Sequence, residues 1–189
     1  KDYFLKQKYY NCDFSFNLGQ GKIGNFLENG GEDNFDIIFA ETGLETPHGE
    51  RVLKIRRHVK DDEIFMVTYG DGVSDIDIQK LVEFHKNHKK IATVTGVHPV
   101  SRWGLVNSDE NNIVTEFAQK PLLYDYVNGG FMVFNKEFFN YLKPGDMIED
   151  ALMRLVPEKQ LVLYKHQGFW YGMDTYRDFQ LLNEFWEKD

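Results

Sequence analysis

Two aspartates stand where an apolar run breaks off at glycine. In FMVTYGDGVSDID, residues 65–77, Asp71 lies between Gly70 and Gly72, which have no side chains. In GFWYGMDTYRD, residues 168–178, Asp174 follows an aromatic-rich run that ends at Gly172. A carboxylate at such a point can hold a divalent cation beside a polyphosphate, because Mg²⁺ keeps several waters and needs only one or two protein carboxylates. The glycines around Asp71 allow unusual backbone angles and close approach by a bulky ligand. Each aspartate also has a plainer reading: Asp71 as a solvated turn residue, and Asp174 or Thr175 as a helix N-cap.

Lys120, in EFAQKP, sits between the end of an apolar-polar alternation and a proline, and its ammonium there is a point charge for a phosphate or an ordinary solvated lysine. In VNGGF, Gly129 and Gly130 interrupt a strand pattern, which marks a bulge or a close ligand approach, and Asn128 beside them can bond a polar ligand such as a sugar. Asp75 and Asp77 form an acid-x-acid pair that could bind metal, although its place at a helix start favours capping. His85 and His88 lack a third metal ligand of suitable type nearby, which argues against zinc. Gly19, Gly21 and Gly24 lack the strand-to-helix context of a phosphate loop.

The elements that must position these residues follow from the periodicities. Residues 13–18 and parts of 35–40 alternate with period two and read as strands, with a flexible Gly- and Asn-rich loop over 19–34 between them. Thr46-Pro47 reads as an N-cap followed by a first-turn proline. Val52, Ile55 and Val59 then share one helix face, and Arg51, Lys54, Arg57 and Lys60 the other. Residues 63–69 and 91–97 read as apolar strands. Between them Ser74 and Asp77 resemble a capping box for a helix carrying Ile78, Leu81, Val82 and His85. Strand, helix, strand at this spacing predicts a right-handed parallel unit. Shorter strands follow at 104–107, 113–117 and 126–135, with a turn at Asn111-Asn112. A helix over 148–156, a strand over 161–164 and a last helix over 176–187 complete the pattern. The fold class expected is α/β: a Rossmann-like, doubly wound, mixed but mostly parallel sheet flanked by helices, in one domain over 1–189. Ligands in such sheets bind outside the carboxyl ends of the strands, where Asp71 lies.

The chain has 189 residues and a formal net charge of −8, which argues against a nucleic-acid partner while leaving room for a small phosphate ligand. Its one cysteine, Cys12, can form no internal disulfide and fits a reducing compartment. No apolar run reaches the ~18–20 residues of a membrane span, so a cytoplasmic location is expected. Aromatic residues make up 15%, enough large side chains for an interface as well as a core, which admits a homo-oligomer. The sequence starts at Lys1 without an initiator Met, so a fragment is expected.

Taken in order, Gly70-Asp71-Gly72, Arg102-Trp103-Gly104, Gln119-Lys120-Pro121, Asn128-Gly129-Gly130 and Met173-Asp174-Thr175 resemble the sugar-nucleotide pyrophosphorylases, a sugar-phosphate nucleotidyltransferase family. The likeness is greatest to the glucose-1-phosphate cytidylyltransferases, and ETGLETPHGERV, residues 41–52, resembles their Thr-Gly segment leading to Gly-x-Arg. The resemblance implies the reaction of CTP with glucose 1-phosphate to CDP-glucose and diphosphate, supplying surface-polysaccharide synthesis. It implies Mg²⁺ held by Asp71 and Asp174, with Tyr69 and Gly70 alongside, and a sugar phosphate held by Lys120. It places Gly104, Gln119, Asn128 and Gly129 at the sugar, and Thr42, Gly43 and Arg51 on the CTP side. Gln119 departs from the Glu usual there, which admits a different sugar phosphate. The family's first strand and Gly-rich triphosphate loop do not occur in residues 1–189; a full-length protein is expected to carry them, and the chain alone to be inactive. A metal-dependent glycosyltransferase using Asp75 and Asp77, or a non-catalytic sugar-nucleotide-binding module, are the competing readings.

Overall fold

The computed structural model describes residues 1–3, 6, 13–27 and 36–188. They fall into two units, Lys1–Glu41 and Thr42–Asp189. In the first, β1 (Asp13–Asn17) pairs antiparallel with β2 (Lys22–Leu27). The turn between them is closed by Gln20 N–H on Asn17 Oδ1, at 3.0 Å, and by Gly21 at φ 63°. The glycine-rich stretch is therefore half strand, where a loop over 19–34 is expected from composition; residues 28–35 lie outside the described ones. Residues 36–40 carry no strand, against the expectation from their alternation. Ile37 and Ile38 are 45% and 63% exposed, so their alternation does not mark a buried face.

In the second unit a four-stranded sheet has the order β3 (Ile64–Thr68), β8 (Val127–Asn135), β5 (Ala92–Val97), β9 (Leu161–Lys165). β8 runs antiparallel to both neighbours and β9 parallel to β5, so three of the four strands point one way. This is the mixed, mostly parallel sheet expected. Alternation along β8 gives each face its own core. Met132 and Phe134 pack with Phe65, Phe138 and Phe139 and with α1 (His48–Val59) and α3 (Ile148–Leu155) through Val52, Ile148, Leu152 and Leu155. Phe131 and Val133 pack on the other face with Ile76, Leu81 and Val82, the last two from α2 (Ile78–His88). α4 (Tyr176–Trp186) follows, and no described helix is long and apolar enough to cross a membrane.

Two small ladders complete the unit: β6 (Leu105–Ser108) with β7 (Val114–Ala118), and β4 (Gly72–Ser74) with β10 (Trp170–Gly172). The second pair has three residues a side, too few to show a period in the sequence, and it decides where the site forms. A 3-10 turn, Lys136–Asn140, is likewise unannounced.

Helix starts differ from the expected caps. Pro47, not Thr46, occupies the N-cap of α1, and the Thr46 hydroxyl instead donates to the Thr42 carbonyl at 2.6 Å. Asp77 alone caps α2, accepting from Lys80 N–H at 3.0 Å. Ser74 is drawn into β4, and its hydroxyl donates to the Phe169 carbonyl at 2.7 Å.

The end of α2 is tied to the sheet by a closed hydrogen-bond ring. Lys90 N–H donates to His88 Nδ1 (2.9 Å), so His88 Nε2–H donates to Thr93 Oγ1 (2.7 Å). The Thr93 hydroxyl then donates to His85 Nδ1 (2.8 Å), His85 Nε2–H to Asn135 Oδ1 (2.9 Å), and the Asn135 amide back to the Lys90 carbonyl (3.1 Å). The ring is satisfied only with both imidazoles neutral.

Candidate active site

The β4–β10 ladder pairs Gly72 with Gly172, and one step further the Met173 N–H donates to the Asp71 carbonyl at 2.8 Å. Asp71 and Asp174 are thereby brought to the same end of one two-stranded ladder. The capping alternative for Asp174 does not hold. Thr175 caps α4, accepting from Asp178 N–H at 3.2 Å, while Asp178 returns a bond from Thr175 N–H at 2.9 Å. The Asp174 carboxylate turns to Arg102, whose Nη2 donates to its Oδ2.

Arg102 and Asp174 line a cavity of about 300 Å³ with Lys120, Trp170, Thr175, Arg177 and Asp178, at the low end of the range for small-molecule sites. Lys120 enters it from a left-handed backbone, φ 50°, a conformation that costs a non-glycine residue of order 1–3 kcal/mol and tends to persist at functional sites. Asp178 is committed elsewhere, to Thr175 and to the Tyr171 hydroxyl at 3.1 Å, and bonding by Thr175 holds its carboxyl below the usual range. The three cations thus face one carboxylate without a structural duty. Arg102, marked in the sequence only through the Arg102-Trp103-Gly104 motif, and Arg177 thus acquire a place beside Lys120.

Asp71 opens on a second cavity with His48, Thr68, Tyr69, Gly70 and Glu149. Tyr69 is fixed from three sides. Its hydroxyl donates to Glu149 Oε1 at 2.9 Å, its N–H to the Gly130 carbonyl at 3.3 Å, and its ring lies 5.9 Å from that of His48. Burial, with the Glu149 bond and the charges of Glu149 and Asp71, pushes the phenol well above its ordinary value, so it is a permanent donor. Gly130, at φ 81°, supplies the bend that makes room: a Cβ there would stand 2.8 Å from the Tyr69 ring.

The residues expected at the sugar are placed by the start of β8 and the mouth of the β6–β7 ladder. Asn128 spends its Oδ1 on Gly130 N–H at 3.0 Å, which leaves its amide N–H groups to face a ligand. The Gly129 carbonyl accepts from Trp170 Nε1 at 2.8 Å, and a Cβ at 129 would meet Val97 at 2.7 Å. Gly104 lies against Gln119, whose Oε1 would be 3.1 Å from a Cβ at 104, so the amide lies over bare backbone.

Thr42, Gly43 and Arg51 form a cluster just before α1. Arg51 donates from Nε to the Thr46 carbonyl (2.7 Å), from Nη1 to Thr42 Oγ1 (3.1 Å) and from Nη2 to the Leu44 carbonyl (2.6 Å). Lys54 Nζ adds a bond to the Thr42 carbonyl at 3.0 Å. Gly43 takes φ 94°, with its would-be Cβ 2.7 Å from Thr46 Oγ1. Arg51 thus shapes this loop, and α1 begins at His48 in the Asp71 cavity.

Among the described residues no group of three or more His, Cys, Asp or Glu side chains could enclose a metal ion. Asp71 and Asp174 stand at one ladder end but line different cavities; a Mg²⁺ ion, which needs only one or two protein carboxylates, would take its remaining ligands from water and phosphate. The competing acid pair is otherwise engaged: Asp77 caps α2, and Asp75, where helix capping is expected, lies 2.8 Å from His166 Nε2. His85 and His88 have both ring nitrogens inside the ring described above, which removes them as metal ligands.

A family model described as nucleotidyl transferase matches residues 32–188. The glucose-1-phosphate cytidylyltransferase of Salmonella typhi is 32% identical over 191 residues, an alignment covering 100% of this chain and 73% of that protein. A mannose-1-phosphate guanyltransferase of Candida albicans is 28% identical over 159 residues, 78% of this chain and 44% of that one. The structure of a UDP-glucose pyrophosphorylase complexed with UDP-glucose superposes with a TM-score of 0.56 at 16% identity, covering 78% of this chain and 65% of that one, which speaks to fold alone. The chain spans less than two thirds of that solved structure. With this sheet and a family match over most of its length, the chain belongs to the nucleotidyl transferase family, among the sugar-phosphate nucleotidyltransferases.

Proposed function

We propose that the protein transfers a cytidylyl group from CTP to glucose 1-phosphate, releasing diphosphate and giving CDP-glucose. The observation that supports this reading is the Met173–Asp71 backbone bond, which brings Asp71 to the ladder end that carries Asp174, the carboxylate of the cation-lined cavity. The choice of CTP and of glucose is supported by the full-length likeness to the Salmonella typhi enzyme of that name.

In this reading a phosphate oxygen of glucose 1-phosphate attacks the α-phosphorus of CTP in line, the bond to the β-phosphate oxygen breaks, and diphosphate leaves. The protein's part is chiefly positioning and charge stabilisation. Lys120 holds the sugar phosphate. The Asn128 amide N–H groups, Gln119 and the bare backbone at Gly104 and Gly129 take the hexose. The loop shaped by Arg51 at Thr42–Gly43 receives CTP, while Tyr69 and Gly70 fix the backbone that presents Asp71. A Mg²⁺ ion held by Asp71 and Asp174 supplies neutralisation of the phosphates that must approach each other. Gln119, an amide, can both accept from and donate to sugar hydroxyls. The setting is cytoplasmic, where CTP is at hand, and the product serves surface-polysaccharide synthesis.

Diphosphate release from CTP, UTP, dTTP and GTP, each with glucose 1-phosphate and Mg²⁺, tests the reading in the full-length protein. CTP is expected to give the highest kcat/KM, and preference for any other base overturns the cytidylyl assignment.

A further inference from the structure

Asp174 has two calls on one carboxylate. As a cation ligand it must offer its oxygens to metal, yet Arg102 Nη2 donates to Oδ2. A guanidinium and a divalent cation cannot share that oxygen at contact distance without strong like-charge repulsion. Arg102 is tethered at the rim of the cavity that also holds Lys120 and Arg177, so a displaced guanidinium stays among groups suited to phosphate.

We infer that Arg102 is a counter-ion exchanged at Asp174. It neutralises the carboxylate when no metal is bound, and on metal binding it swings to the phosphate held by Lys120. The inference rests on the assignment of Asp174 as a metal ligand and Lys120 as a phosphate ligand. It adds an order of events in which the cation arms the phosphate site. Neighbouring groups agree with it. Asp178, the other carboxylate lining the cavity, takes its hydrogen bonds from Thr175 and Tyr171, and Arg102 acts on it through charge alone. Both partners are exposed enough to rearrange, with side chains 62% and 46% accessible. Arg102 lies between an isolated bridge at Val100 and β6, outside both core clusters. The exchange makes metal and sugar phosphate favour each other's binding, reciprocally, as linkage requires.

The test uses full-length wild type, Arg102→Met, Arg102→Lys and Asp174→Asn, with Mn²⁺ binding read by water-proton relaxation and glucose 1-phosphate binding by calorimetry. Circular dichroism checks that each variant is folded. Without sugar phosphate, Arg102→Met should bind Mn²⁺ more tightly than wild type by ~2- to 5-fold, the range for an exposed ion pair. Without metal, Arg102→Met should leave glucose 1-phosphate affinity nearly unchanged, whereas with saturating Mn²⁺ it should weaken it. Asp174→Asn should tighten metal-free glucose 1-phosphate binding, because the arginine is already released. Arg102→Lys should fall between Arg102→Met and wild type in both measurements.

Unchanged or weaker Mn²⁺ binding in Arg102→Met overturns the exchange, as does an equal loss of glucose 1-phosphate affinity with and without metal. If Asp174→Asn binds Mn²⁺ as tightly as wild type, the metal assignment itself fails and takes the exchange with it. Normal dependence on Asp174 with a silent Arg102 sinks the exchange alone.

Discussion

The indole N–H of Trp170 donates to the Gly129 carbonyl over 2.8 Å and fastens β10 to the start of β8. That bond links the ladder carrying Asp174 to the backbone assigned to the sugar. Trp170→Phe keeps an aromatic ring but removes the donor and part of the indole's bulk, leaving a part-buried carbonyl unpaired. A stability loss of ~1–3 kcal/mol is expected, the cost of such a group. KM for glucose 1-phosphate should rise more than kcat falls; denaturant melts and steady-state kinetics read the two effects.

Asp71→Asn and Asp174→Asn remove one negative charge each from the ladder end while keeping shape. Each should lower diphosphate release by at least ~100-fold, the scale seen for loss of one electrostatic stabiliser at a reacting centre. Thermal melts should stay near wild type, since neither carboxylate supports the core. Full activity in either variant would remove that residue from the cation pair.

Gly130 carries two constraints, a left-handed φ of 81° and the Tyr69 ring 2.8 Å from where a methyl would stand. Gly130→Ala should cost ~1–3 kcal/mol on the backbone alone. Because the displaced ring is the one that presents Gly70 and Asp71, Mn²⁺ binding should weaken as well. Tyr69→Phe removes only a hydroxyl bonded to the exposed Glu149 and should cost under ~1.5 kcal/mol. Equal effects from the two substitutions would show that the hydroxyl, not the ring position, matters.

Arg51→Lys keeps a positive charge but cannot donate from three nitrogens in one plane. The 42–46 loop should loosen, with faster proteolytic nicking there and a raised KM for CTP at nearly constant kcat. A KM that does not move would separate this loop from the nucleotide.

Burial, partly offset by the Asn135 bond, pushes the His85 imidazole below its ordinary value of 6.5. Burial and the neighbouring His85 push His88 the same way. The unfolded chain therefore takes up protons that the fold refuses, so stability is complete above about pH 6.5 and falls as pH drops through that value, until the folded imidazoles titrate. The slope is at most ~1.4 kcal/mol per pH unit for each histidine. Urea melts at pH 7.5 and 5.5 measure it, and His85→Gln should flatten the difference.

Much of the frame is legible from periodicity. The strands 64–68 and 92–97, the helices 78–88, 148–155 and 176–186, and the apolar faces of Leu81 and Ile148 stand where apolar spacing puts them. Local caps are less legible, because Ser74 and Asp75 found distant partners in Phe169 and His166, and Thr46 turned back to the Thr42 carbonyl within its own loop. The alternation over 36–40 shows the converse, a strand-like pattern that forms no strand.

The candidate site divides along the same line. Asp71 and Lys120 announce themselves by glycine and proline neighbours. The contact of Asp71 with Met173, the Trp170 bond and the arrival of Arg102 and Arg177 depend on a three-residue ladder between distant segments. No window of sequence contains that ladder.

Asp71 and Asp174 are separated by more than half of the chain, and the β4–β10 pairing brings their backbones to one ladder end. Loop closure over such a span comes late in folding, since its entropy cost must be met before the contact can reward it. If Asp71 and Asp174 hold the cation as proposed, its affinity reports completed folding: with β10 undocked, one of the two proposed ligands is out of place.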